Sequence, residues 1–533
     1  MNMKKLSIIL LCLIMGLSSC NDFLDVNENP NTPNESVPTP DLRLPPIITQ
    51  MMDAYGSGAT RCAYITQALG FYNSVGSRYY EIQCWNLRSS DMNWPWQAWY
   101  VNSAVNIAPM IEKAQAENAY HYEAAGRFLY AYGFSSMAAM YGSIVFDDFA
   151  TETILPSYQP ADYVYEKCLK EIDLAIDLFK KEQPAGATPF QKGDILAGGN
   201  TNIWIKACYG LKARLMNHLS GSASFNAEEV LQALNNAAQS NSDNLFIKYV
   251  NDPADATSNL ESLQYTNVST TARVGVMMYK YLYNAFPGGS SVIDPRRDTL
   301  IPMNVFANST KNPELAARVL PVDITSDFLP NATGVSSKPE YKVDSLYAAY
   351  GKGRSGNKEY GCLRGLTFYT NRESVAYLMP YHEVELIRAE VLFNKGDKPG
   401  AYTAYLNGMR ANMQELGVDN AKIEAYLTSA AVPQSSGALT LSHIMREKFI
   451  SCLYTMEPWY DMRKYNYSTE VYPGYNKPNE KFIWTQYPSN GTPQRFPVAT
   501  YETDYNSAQI RLAEPDYDKP SYTTKIIFPL MGQ

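Results

Sequence analysis

A chain of 533 residues carrying 45 Lys and Arg against 53 Asp and Glu, a formal net charge of −8, is long enough to bury one large core or two smaller ones. It lacks the basic excess that a nucleic-acid partner requires, and its 8 cysteines show neither a CxxC pair nor a zinc-ligand spacing. Tyrosine is over-used, 41 against 19 Phe and 7 Trp. Because a buried Tyr hydroxyl needs a partner, some of these rings are expected at seams and wet edges, and most of them between helices and loops.

The chain opens with Lys4 and Lys5, an apolar run from Leu6 to Leu17, and the small pair Ser18-Ser19, the order of an export signal. The run is roughly a dozen residues, too short for a membrane span that needs about 20. Residues 1–19 therefore read as a removable signal peptide, and Cys20 directly behind them as a lipobox cysteine whose acylation ties the mature chain to a membrane. Stable anchoring takes more than one acyl chain, at about 0.8 kcal/mol per buried CH₂. Residues 27–39, polar and broken by Pro30, Pro33 and Pro38, read as tether. Three parts are expected: 1–19 signal, 20–45 lipidated tether, 46–533 binding domain, the last interrupted by a loop region at about 240–376.

Helical periodicity dominates the body. In Tyr120 to Tyr141, Ala125, Phe128, Leu129 and Tyr132 share a stripe, while Gly126 and Gly133 lie on one face where a neighbour is expected to pass close. From Asp162, taken as N-cap, Val164, Cys168, Ile172, Ile176 and Phe179 form the next stripe. Ile205, Cys208, Leu211, Leu215 and Leu219 follow, opened by Thr201 or Asn202, and Phe225 to Gln239 repeats the pattern with Asn226 as a possible cap. Helix signals return at Pro380 with Val384, Ile387 and Val391 in line. Gly396 and Asp397 then supply a C′ residue and an N-cap in succession, the mark of a tight helix-turn-helix joint. Leu406, Met409 and Met413 carry the partner helix. A last helix, opened by Ser442 or Thr440, aligns Met445, Phe449, Cys452 and Met456, and only turn chemistry is expected after it. Cys168 and Cys208 read as small core residues; whether Cys62 and Cys84 pair is open.

Signatures of chemistry are few. Gly351 to Gly356 fits G-x-G-x-x-G but has neither a buried strand before it nor an apolar helix after it. His382-Glu383 lacks the second His of HExxH, there is no G-x-S-x-G elbow, and Asp147-Asp148 reads as a solvated turn, since adjacent residues project apart. No metal or cofactor is expected.

Several segments together resemble one family. Cys20 followed by Asn21-Asp22-Phe23-Leu24-Asp25-Val26 resembles the start of a SusD/RagB-type outer-membrane lipoprotein of Bacteroidetes. Trp96 to Asn102 resembles its W-x3-Y segment, and Ala125 to Tyr132, ending at Met140-Tyr141-Gly142, its "ARFLRAY … YG" helix. Asp294-Pro295-Arg296 matches its DPR element, Tyr381 to Glu390 its "Y-x-E-x-x-L-x-x-A-E" helix, and Trp459 to Arg463 its "W-x-D-x-R". The resemblance runs nearly the whole length. It implies a mostly α fold: a SusD-like bundle of tetratricopeptide-like helix pairs with long irregular ligand-binding loops. It also implies a place on the outside of the outer membrane, held by acylated Cys20, with a SusC-like TonB-dependent transporter as partner. There the chain would act as lid, and an oligosaccharide or an oligopeptide would be the cargo.

Ligand contacts are expected where rings and planar polar groups gather in a loop. The densest such mixture is Tyr79, Tyr80, Trp85, Arg88, Asn93 and Trp94, with Trp85 and Trp94 as platforms and Arg88 or Asn93 as polar partners. A core place for Trp94 beside Pro95 is the competing reading, and Trp96 and Trp99 are assigned to the core outright. A second candidate is the loop with Arg354, Asn357, Tyr360, Arg364 and Tyr369. Three classes of function stay in view: nutrient capture without turnover, a surface glycoside hydrolase, and a structural helical-repeat adaptor.

Overall fold

The computed structural model describes residues 38–71, 76–250, 263–268, 272–301, 321–325, 363, 367–484, 491–515 and 529–531. Cys20, Arg354, Asn357, Tyr360 and Arg364 lie outside them. The first helix among the described residues, Pro40–Ile65, begins within the stretch assigned to the tether, with Pro40 at its first turn, where a missing N–H costs nothing. It buries Leu44, Ile47, Ile48, Met51 and Met52 and serves as a spine for later elements.

Helices stack against their sequence neighbours as the periodicity requires. Ile107–Ala116 packs on Tyr120–Tyr141, which packs in turn on Ala161–Phe179; Thr201–His218 pairs with Ala227–Asn236, and Tyr381–Lys395 with Lys398–Glu415. The two glycines of Tyr120–Tyr141 work as expected. A methyl group on Gly133 would sit 2.0 Å from the Trp99 ring, and one on Gly126 would sit 2.7 Å from Ile111, so each absent side chain is the space a neighbour occupies. Trp99 reaches that slot from a π-helical turn, Ala98–Ser103. At the joint of the Tyr381–Lys395 pair, Gly396 takes φ 92°, in the left-handed region, and the Asp397 carboxylate accepts from Gly400 N–H at 3.0 Å.

Caps sharpen the expected boundaries. Asn226 caps its helix as proposed, its side chain accepting from Glu228 N–H. Asn200, one residue before the expected choices, caps Thr201–His218. Pro160, not Asp162, precedes Ala161–Phe179; Asp162 falls in the first turn, where its charge suits the helix dipole. Thr440, not Ser442, opens Leu441–Ser451 in a capping box with His443. That helix stops at Ser451, and Met456 starts the next one, Glu457–Lys464, so the W-x-D-x-R segment is helical and not turn chemistry. Its apolar stripe is missing because half of its buried positions are charged.

The sheets are small antiparallel clamps. Leu69–Phe71 pairs with Ala272–Val274, Ile144–Val145 with Tyr158–Gln159, and Leu245–Lys248 with Val375–Met379, the last with a register shift beside Leu245. The first and third tie Ala272–Val274 and Val375–Met379 back to strands beside the helical scaffold. Cys62, Cys84, Cys168, Cys208 and Cys452 are all buried and free, so Cys62 and Cys84 are not bridged. Burial pushes each of these thiols up, away from reactive thiolate.

Candidate functional site

Residues 76–97 are largely short helices, Arg78–Gln83, Ser89–Met92 and Asn93–Gln97, and not the loop expected from the sequence, and their polar side chains are spent on one another and on neighbouring segments. Arg88 grips Asp91 through two hydrogen bonds, at 2.6 and 3.0 Å, and Arg61 reaches the Asp91 carbonyl at 2.7 Å. Asn86 donates to Glu81 and to the Phe482 carbonyl and accepts from Trp484 N–H. Asn93 accepts from Thr500 N–H through its side chain and from the Tyr501 hydroxyl through its carbonyl, both at 2.7 Å, which pins the Thr500–Tyr505 helix to the loop. Arg88 and Asn93, named from the sequence as ligand partners, thus already bind protein.

The rings of the same set separate into two groups. Trp85 is 2% exposed, donates from Nε1 to the Ile65 carbonyl and packs on Tyr467, and Tyr80 is also buried; neither offers a free face. Trp94 is 40% exposed. Its Nε1 donates to Asp53 at 3.0 Å, and the second Asp53 oxygen accepts from Asn267 at 3.4 Å. The Asn267 carbonyl accepts from the Tyr79 hydroxyl at 3.3 Å, while the half-buried Tyr79 ring stacks on Tyr64 with centroids 4.8 Å apart. Trp94, Asp53, Asn267 and Tyr79 therefore form one connected surface, with Arg78 exposed beside Tyr79 in sequence. Burial raises the Asp53 carboxyl above its ordinary value, and the hydrogen bonds from Asn267 and Trp94 and the charge of Arg61 oppose that rise.

A second surface was invisible in the sequence. Tyr55, Tyr369, Tyr377 and Tyr454 converge on a cleft with Gln264 and His382, bringing together residues from four distant segments. Tyr369, from the second candidate loop, is buried here against Tyr454. The cleft is narrow, with room for waters and not for a sugar ring. His382 donates from Nδ1 to Glu415 at 2.6 Å, and Asn244 bonds the other oxygen of that carboxylate. The short helix Leu263–Asn267 joins the two surfaces: Leu263 and Gln264 border the cleft, and Asn267 holds Asp53 and Tyr79.

A flat ring with one edge tied down, beside a fixed carboxylate and an amide, suits a ligand with apolar faces and hydroxyl or amide edges. A family model described as starch-binding, associating with the outer membrane, matches residues 34–488. The chain belongs to the SusD-like family.

Solved structures of SusD-like proteins share the fold. A SusD homologue from Bacteroides fragilis aligns with a TM-score of 0.65 at 16% identity, over 92% of this chain and 98% of that one. A Bacteroidetes SusD-like protein reaches 0.70 at 19% identity, over 92% and 100%. A chitin-binding SusD homologue from Flavobacterium johnsoniae gives 0.64 at 15%, over 91% and 95%. No curated protein matches.

In this SusD-like chain, the described segments that carried the resemblance from Tyr381, Asp294 and Trp459 onward build the interior. Arg214 forks onto Glu383 at 2.6 and 2.7 Å; Lys448 contacts Glu390 at 3.0 Å and Asp461 at 2.9 Å; Lys464 also meets Glu390. Arg296 of the DPR element lies between Asp294 and Glu447. These side chains are nearly inaccessible, so they position the scaffold and do not touch a ligand. Among the described residues no helix is long and apolar enough to cross a membrane, and no group of His, Cys, Asp or Glu is arranged to hold a metal ion.

Proposed function

We propose that this chain is a surface lipoprotein of the outer membrane, anchored through acylated Cys20, that captures a nutrient oligomer and passes it to a SusC-like TonB-dependent transporter for which it acts as lid. An oligosaccharide is the favoured cargo. The carrying observation is the half-open Trp94 face next to the Asp53 carboxylate, on a chain of a family whose model is described as starch-binding. Pyranose C–H faces stack on such a ring while hydroxyl groups donate to the carboxylate. The role is binding without turnover, in keeping with the family.

Calorimetric titration against a panel of soluble oligosaccharides and oligopeptides tests this reading. Saturable binding of a glycan is expected, with Trp94→Ala weakening it about 30-fold, equivalent to about 2 kcal/mol for an anchoring aromatic. Binding of peptides alone would move the cargo to oligopeptides, and new reducing ends after incubation with glycans would make the chain a hydrolase. The anchor has its own test. Cys20→Ser should leave thermal stability unchanged and release the protein from washed membranes; retention in the membrane pellet contradicts lipidation at that position.

A further inference from the structure

The helix Glu457–Lys464 contributes a buried arginine that the cargo site does not use. Arg463 is 4% exposed and spends Nη1 on two carbonyls, Ala139 at 3.0 Å and Gln494 at 2.6 Å. The rings of Trp459 and Tyr460 lie 3.9 and 4.5 Å from its central carbon. Its Nε and Nη2 have no hydrogen-bond partner among the described residues. Those two atoms form the edge of the guanidinium whose N–H bonds run parallel, the fork that grips an anion. A buried donor pair left empty is destabilising, because its lost hydration is not replaced.

Arg463 lines a small pocket together with Lys464, His218, Tyr460, Asp461 and Gln494. Neighbouring charges pair off: Arg214 with Glu383, Lys448 with Asp461, Lys464 with Glu390, and Glu457 with His218 at 2.8 Å. Arg463 is left as a cation with no carboxylate in ion-pair reach among the described residues. We propose that this cavity holds one small monatomic anion, chloride in physiological media, on the Nε and Nη2 edge of Arg463. The space takes about one water-sized sphere, which excludes phosphate, sulfate and carboxylates. His218 borders the same space, with Nδ1 3.0 Å from the Tyr165 hydroxyl, Nε2 2.8 Å from Glu457 and its ring stacked on Tyr460.

Crystals of the full chain grown in sodium bromide, with data collected at the bromine edge, test the site directly. An anomalous peak beside Arg463 is expected. In solution, sodium chloride should raise the Tm above that in sodium gluconate of equal ionic strength, and Arg463→Met should abolish the difference. Density for a water without an anomalous signal overturns the proposal, as does a Tm equal in the two salts. If the variant does not fold, the bromide experiment on the unaltered chain still decides.

Discussion

Arg296→Leu is expected to lower the free energy of unfolding by about 3–5 kcal/mol, the usual loss when one partner of a buried ion pair is removed, read as a fall in the urea midpoint. Arg296 has no accessible surface. Its Nη2 donates to Asp294 at 2.6 Å and to Glu447 at 2.8 Å, and its Nη1 donates to Glu447 at 2.5 Å and to Asn412 at 3.0 Å. The guanidinium thus joins the 294–296 turn to the Leu441–Ser451 helix and to Lys398–Glu415. Leucine would leave two carboxylates facing each other in the core. The loss comes from those stranded charges, so the triple variant Asp294→Asn, Arg296→Leu, Glu447→Gln should be more stable than the single one. Arg296→Lys should fall between, because an ammonium keeps the charge but lacks the planar fork. A single variant no less stable than the triple one would show that the knot does not work by charge compensation.

That knot also explains what could be read from the sequence. Helices with an apolar stripe, such as Ala161–Phe179, were legible, because burial of Val164, Cys168, Ile172, Ile176 and Phe179 imposes the period that identifies them. Glu457–Lys464 was not, because Glu457, Asp461 and Lys464 are buried with their counter-charges and Arg463 is buried beside them; a charge looks solvated until its counter-charge, distant in sequence, is located. The segment that presents Trp94 stands out in the sequence by its density of rings and amides, yet sequence does not separate a ring with an exposed face from one like Trp85 that is buried. Asp53, Asn267 and the tyrosine cleft were missed for a third reason. They come from helices and strands far apart in the chain, and no local pattern announces that Tyr55 and Tyr377 meet. The over-use of tyrosine was the available signal, and it gave a composition without a location.

Acidification should unfold this protein over a defined window. Burial alone would push the Glu390 and Glu457 carboxyls up, but the cations beside them outweigh it: Lys448 and Lys464 hold Glu390 well below the usual range, and His218 and Arg214 lower Glu457 from 4.5 to about 2. A carboxyl whose folded value lies below its unfolded one contributes stability that is complete above the unfolded value and is lost as pH falls through the folded one. The Tm should therefore drop with increasing slope as pH falls below about 4.5, the ordinary value of a glutamate, with Glu390 and Glu457 both contributing. Asp461 acts in the opposite sense, because burial raises its carboxyl, so its share of strain is relieved as pH falls. Glu457→Gln separates the two. It should lower the Tm at neutral pH by stranding charge near His218 and Arg214, and it should flatten the decline below pH 4.5, because the group that would take up the proton is gone. A variant whose Tm falls with the same slope as the parent would place the acid-sensitive groups elsewhere than in this buried cluster.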